Sequence, residues 1–164
     1  MAQRLTAASP GIGDLRLDRL VGALPTGFET MRSEALAEGY RFIERLATDW
    51  ASGALRFTRP GEVLLGAYSD GVLAGIGGLT VDPAIREALR MRRFYVRKAF
   101  RRRGVGRRLA AALLEQARAH GCQVTVNAAT GSAPFWESLG FVPDERDGHT
   151  HLFHPTEWGG RKPG

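Results

Sequence analysis

The stretch from Phe94 to Gln116, FYVRKAFRRRGVGRRLAAALLEQ, narrows the folds open to this chain more than any other. An apolar triplet, Phe94-Tyr95-Val96, leads into a basic run, and Gly104-Val105-Gly106 then opens a segment with Val105, Leu109, Ala112 and Leu113 at helical spacing. The helix stops at Gly121, a residue able to take the left-handed cap position. Beyond it Cys122, Val124 and Val126 alternate with Gln123, Thr125 and Asn127 as a further strand. Strand, helix and strand within about 35 residues make the crossover of a parallel pair. The chain is therefore read as an α/β protein.

Charge placement says what the loop is for. Seven basic residues and no acidic one lie between Arg97 and Arg108, although cations at a helix N-terminus oppose the helix dipole. A bound polyanion is the natural reason. Backbone N–H groups left without partners in the first turn point at such a ligand, and glycines let its phosphates approach the main chain. Because the donors sit on one tight turn, a phosphate ester is expected rather than a nucleic acid.

The rest of the chain supplies a sheet around that crossover. Leu15 to Leu20 alternates as a short first strand, and Thr30 to Trp50 reads as one or two helices parted at Gly39. Glu62–Ser69 and Val72–Val81 are apolar runs joined by Asp70-Gly71, a strong hairpin signal. Gly75, Gly77 and Gly78 in the second run point to a bulge or a close approach by something else. Asp82-Pro83 has the form of a cap followed by a first helical residue. The segment 84–90 is expected as a loop or helical turn, and Met91–Val96 as the central strand. Ser132 to Leu139 reads as a short helix. Phe141-Val142 and His149–Phe153 read as final strands around a turn at Asp147-Gly148.

A chain of 164 residues with 43% hydrophobic and 24% charged residues fits a single globular domain. Residues 14–156 are taken as that domain, with residues 1–13 and 157–164 as flexible ends. The net charge of +6 favours anionic partners. Cys122 is the only cysteine, so no intrachain disulfide is available. The opening residues lack the apolar core of a signal peptide, and no run approaches the roughly 18 apolar residues of a membrane span. A cytoplasmic location, away from membranes, is the default expectation.

Two blocks carry a resemblance. Arg101, Gly104 and Gly106 match the Arg/Gln-x-x-Gly-x-Gly/Ala acyl-CoA signature of the GNAT family of N-acetyltransferases, and Phe94-Tyr95-Val96 resembles that family's central strand. Phe135-Trp136 followed by Gly140-Phe141 is similar to its second block. The likeness runs from about Leu15 to Phe153 and is specific from Phe94 to Phe141. It implies the GNAT acyl-CoA-binding fold, a mixed and mostly antiparallel sheet with splayed central parallel strands and flanking helices. Acetyl-CoA would lie between Met91–Val96 and Cys122–Ala128. The residues implied around it are Phe94, Tyr95, Val96, Arg101, Arg102, Arg103, Gly104, Val105, Gly106, Arg107, Arg108, Asn127, Phe135 and Trp136. The main chain at Tyr95-Val96 would hold the pantetheine arm and polarise the thioester. A tyrosine acid common in the family is replaced by Trp136, whose indole donates hydrogen bonds but is no general acid. Tyr95, a water, or direct departure of the thiolate would fill that role.

The activity implied is acetyl transfer from acetyl-CoA to a primary amine of a small molecule or peptide. The general base is open among His151, Asp82, Glu62 and Glu137, and among Asp144, Glu145 and Asp147 in the turn that follows. His149 and His151 share a strand face, but no third ligand has metal-site spacing, and no metal is expected. A non-catalytic acyl-CoA sensor is the alternative, kept open by Trp136 and by arginines where a central-strand glutamate usually stands. Nucleic-acid binding is disfavoured because aromatic residues do not interleave with the basic cluster. An exposed C-terminal strand is compatible with a homodimer.

Overall fold

Asp70 and Gly71 turn the chain between β2 (Val63–Ser69) and β3 (Val72–Val81) with φ of 51° and 83°. Two successive positive φ values are what a two-residue hairpin turn requires. Replacing Gly71 by alanine should cost about 1 kcal/mol in a urea denaturation series. Open space around the site leaves no packing cost to add.

The computed structural model describes residues 14–155, and the ends expected to be flexible lie outside the described residues. β1 (Leu15–Arg19) pairs antiparallel with β2, and β3 pairs antiparallel with β4 (Ala88–Val96). A 3₁₀ turn at Lys98–Phe100 leads into α3 (Val105–Ala119), numbered after α1 (Phe28–Ala37) and α2 (Phe42–Ser52). The crossover returns as β5 (Gln123–Val126), parallel to β4. A short α4 (Ala133–Ser138) precedes the hairpin of β6 (Val142–Arg146) and β7 (His149–Phe153). The sheet order is β1-β2-β3-β4-β5-β7-β6, mostly antiparallel with one parallel pair at its centre. This is the fold class expected from the sequence.

Besides shifts of one or two residues at element ends, three boundaries differ from the sequence reading. The central strand starts at Ala88 and not Met91, because Asp82 caps only the turn at Ala84 and Ile85. β5 is confined to four residues, shorter than the alternation implies. Asp144 and Glu145 lie in β6 and not in a turn.

Hydrophobic residues cover both faces of the sheet. On one face Leu89 and Met91 pack with Val105, Leu109 and Leu113 of α3 and with Trp136 of α4. On the other, Ile76 and Tyr95 pack with Met31 of α1 and Ile43, Leu46 and Trp50 of α2. β4 serves both faces through a bulge. Gly78 pairs with Arg92 and Ile76 with Tyr95, so Arg93 and Phe94 together oppose Gly77. Arg93 has a φ of 55°. A Cβ on Gly77 would stand 2.7 Å from the Phe94 ring, and one on Gly78 would stand 2.6 Å from Phe57. These glycines therefore accommodate both the bulge and the close approach read from the sequence.

Candidate active site

Pairing between β4 and β5 runs from Ala88–Gln123 to Met91–Val126 and stops there. β4 continues to Val96 while β5 ends, leaving the seam between them open. A cavity of about 800 Å³ occupies this opening. Its walls are Arg90–Val96 of β4, the segment from Val126 to Trp136, the loop and first turn of α3, and Tyr40, Phe42 and Arg45 from the start of α2.

One end of the cavity is a helix start built without a cap. Gly104 precedes α3 with a φ of 85°, no side chain caps the helix, and its first turn carries no acidic residue. The first-turn amides therefore lack intrahelical acceptors and are available to an anion. Gly106 forms part of the wall, where a Cβ would meet Val96 at 3.4 Å and Phe135 at 3.6 Å. A diphosphate fits this end by charge and by donor geometry. Arg102 and Arg107 line it and form no ion pair among the described residues, although Arg107 donates to Ser138 Oγ at 2.8 Å.

The family model of the acetyltransferase (GNAT) domain matches residues 28–153. The chain belongs to the GNAT acetyltransferases. No curated protein matches it in sequence. Among solved structures, this GNAT domain is similar to an acetyltransferase-like protein from Exiguobacterium sp. 255-15, with 20% identity, a TM-score of 0.79, and 87% of this chain and 95% of that one covered. It is also similar to the PaiA N-acetyltransferase of Thermoplasma acidophilum in complex with coenzyme A, at 16% identity and a TM-score of 0.58, covering 85% and 96% of the two chains. YncA from Salmonella typhimurium, solved with its cofactor acetyl-CoA, has 18% identity and a TM-score of 0.57, with 84% and 89% covered. At these identities the likeness is one of fold.

Within this GNAT domain, Phe94, Tyr95, Val96, Arg101, Arg102, Gly104, Gly106, Arg107, Asn127, Phe135 and Trp136 all line the cavity. Arg103, Val105 and Arg108 do not. Val105 is buried in the core, Arg103 lies over the Phe100 ring at 5.8 Å, and Arg108 is exposed. Arg101 lines the cavity but its guanidinium is committed elsewhere. Its Nε donates to the Val96 carbonyl at 2.8 Å, and its terminal nitrogens donate to both carboxylate oxygens of Glu38 at 3.0 and 2.7 Å. Arg97 grips Glu34 in the same way at 2.9 and 3.0 Å. These pairs tie the C-terminal end of α1 to the loop before α3.

The base candidates lie outside the cavity. Asp82 is buried, accepts from the amides of Ala84 and Ile85 and from Thr125 Oγ1, and faces Arg90 Nε at 3.3 Å. Burial pushes its carboxyl up, but those hydrogen bonds and the Arg90 charge outweigh it and hold the group below its ordinary range. A carboxylate so stabilised is a weak base. His151 is buried on β7 with its ring nitrogens against Glu137 Oε2 at 2.9 Å and Thr150 Oγ1 at 2.8 Å. Glu62 is buried and accepts from the amides of Arg59 and Val81. Among the described residues, the cavity is lined by seven arginines and by no carboxylate or histidine.

Sequence reasoning missed Phe42, Arg45, Glu34 and Glu38. Glu34 and Glu38 stand four residues apart on α1, as Arg97 and Arg101 do on the loop, and that matched spacing was the available signal. Tyr40 lines the cavity, while Phe28, Trp50 and Phe57 belong to the core.

Proposed function

We propose that this GNAT protein transfers the acetyl group of acetyl-CoA to a primary amine of a small molecule or peptide. The observation that carries the reading is the open β4–β5 seam with an uncapped, glycine-walled helix start at its mouth. Complexes of similarly folded proteins with coenzyme A and acetyl-CoA support the choice of donor. A cytoplasmic setting goes with it, and the edge strand β6, where Val142 is half exposed, is where a second copy would add to form a homodimer.

The donor supplies an activated thioester. The protein's part is to hold it: amides of the first α3 turn with Arg102 and Arg107 would take the phosphates, and the β4 edge near Tyr95-Val96 would take the pantetheine arm. Phe94, Phe135 and Trp136, with ring centroids 4.9 to 5.9 Å apart, form a rigid apolar wall beside that arm. In the transfer the ammonium first gives one proton to solvent, an N–C bond forms as the C–S bond breaks, and the second N–H proton reaches the departing CoA thiolate through water. Positioning replaces a bimolecular encounter and supplies much of the rate.

Tyr95 suits a structural role better than that of an acid. Its hydroxyl donates to Glu38 Oε1 at 2.5 Å, and burial, reinforced by Glu38, pushes its proton affinity well above the ordinary phenol range. Departure of the thiolate, or its protonation by water, demands less rearrangement. Among the described residues no lining group can act as a base at neutral pH, and the arginines help instead. Their field disfavours a second positive charge and lowers the pKa of an entering ammonium.

Release of free thiol from acetyl-CoA across a panel of amines tests the proposal, with acetyl-CoA affinity measured in parallel by calorimetry. Amine-dependent thiol release is expected. Tight binding with no release above the hydrolytic background would leave the acyl-CoA sensor as the reading, and the bare lack of a base in the cavity is what favours that second possibility.

A further inference from the structure

We propose that the amine accepted at this site also carries an acidic group, a carboxylate or phosphate, held by Arg92 and Arg93 on the α2 side of β4. The inference rests on the acetyltransferase reading and names the substrate class of the same cavity.

The β4 bulge sets the geometry. Ahead of it Leu89 and Met91 face α3, and after it Phe94 and Val96 do. A strand alternates its side chains, so the extra residue turns both Arg92 and Arg93 away from α3. Arg93 accordingly reaches Asp49 of α2 at 3.2 Å, and Arg92 reaches Thr80 Oγ1 at 2.9 Å. Arg90 before them and Arg45 on α2 complete a group of four cavity-lining arginines. This group lies along β4 and α2, whereas Arg101, Arg102 and Arg107 belong to the loop and the first turn of α3, where the donor's phosphates are expected.

The four cations have too few partners. Asp49 meets Arg93 and Asp82 meets Arg90, and no carboxylate meets Arg92 or Arg45 among the described residues. Arg45 is exposed, but the β4 members are not a solvated surface, since the Arg90 and Arg93 side chains are only 12% and 10% exposed and Arg92 is half-buried. Nε of Arg93 is buried and has no hydrogen-bond partner. Burial, then repulsion by Arg93 and Arg90, weakens the hold of Arg92 on its proton. A cation withdrawn from water and facing its own kind is destabilising unless an anion completes it. Guanidinium forks match carboxylate and phosphate oxygens in pairs, and an acidic substituent would place its own amine in the adjoining seam.

The test is equilibrium binding to protein saturated with CoA. Aspartate, glutamate and O-phosphoethanolamine are compared with aspartic diamide, glutamic diamide and ethanolamine, which lack the acidic groups. At least one acidic ligand is expected to bind about tenfold or more tightly than its neutral counterpart. The carboxylate and phosphate arms say which anion is meant. In Arg92→Met the gap should shrink to about threefold or less while acetyl-CoA affinity is unchanged, and Arg92→Lys should restore part of it. Arg93→Met should act in the same direction. If that variant does not fold, Arg92→Met decides alone. Equal binding of acidic and neutral ligands, no binding of either class, or a gap that survives Arg92→Met overturns the proposal. Thiol release is recorded separately: selective binding without turnover sinks the transferase reading and leaves the anion site standing, while turnover that favours neutral amines sinks the anion site alone.

Discussion

Replacing Gly106 by tryptophan is expected to weaken acetyl-CoA binding at least a hundredfold, which corresponds to about 2.7 kcal/mol, while the domain stays folded. Gly106 has no positive φ and sits in the first turn of α3, so its conformation suits any residue. A Cβ there meets Val96 and Phe135 at 3.4 and 3.6 Å, ordinary contact distances, and anything longer must grow into the cavity. Gly106→Ala should therefore leave stability unchanged or raise it by up to about 1 kcal/mol through helix propensity. A series from alanine through valine to tryptophan separates the two effects. Affinity should fall with side-chain size while the melting temperature holds. Calorimetry showing undiminished binding to the tryptophan variant would move the cofactor out of the seam.

Removing both carboxylates that α1 extends toward the loop should have the largest effect on stability. Glu34→Gln with Glu38→Gln is expected to cost about 2–4 kcal/mol at neutral pH, the sum of two partly exposed charge-assisted pairs. The sign with pH follows from their proton affinities. Hydrogen bonds from Arg97 hold Glu34 below the ordinary carboxylate value near 4.5, with burial opposing. Those from Arg101, aided by Tyr95, do the same for Glu38. A folded-state value below the unfolded one stabilises the protein fully above about pH 4.5, and that contribution is lost as pH falls through the depressed values. Urea denaturation from pH 7 to pH 3 should show wild type and double variant far apart at the top and converging at the bottom. Coincident curves would mean that the two ion pairs contribute nothing to the fold, and a constant offset would mean that the loss is not one of carboxylate charge.

Much of the architecture was written in local patterns. Asp70-Gly71 announced its hairpin because only a few residue pairs tolerate two positive φ values. Gly104-Val105-Gly106 announced the helix start because an uncapped, basic first turn has few uses other than anion binding. Eleven of the fourteen residues implied for the cofactor line one cavity. What stayed hidden was long-range pairing. Nothing local says that Arg101 turns back to Glu38, 63 positions away. In the sequence Asp82 showed only the amides of a cap as partners, and His151 showed none. Their commitment to Thr125, Arg90, Thr150 and Glu137 arises only when β3, β4, β5, β7 and α4 come together.

The bulge at Arg93 and Phe94 has a consequence for how the strand can change over time. It works as a phase shifter: residues up to Met91 keep one parity of inside and outside, and those from Phe94 keep the opposite one. Point substitutions on either side can therefore drift independently. Loss or gain of one residue between them would exchange the aromatic wall for the arginine row in a single step, so in this segment chain length is more constrained than composition.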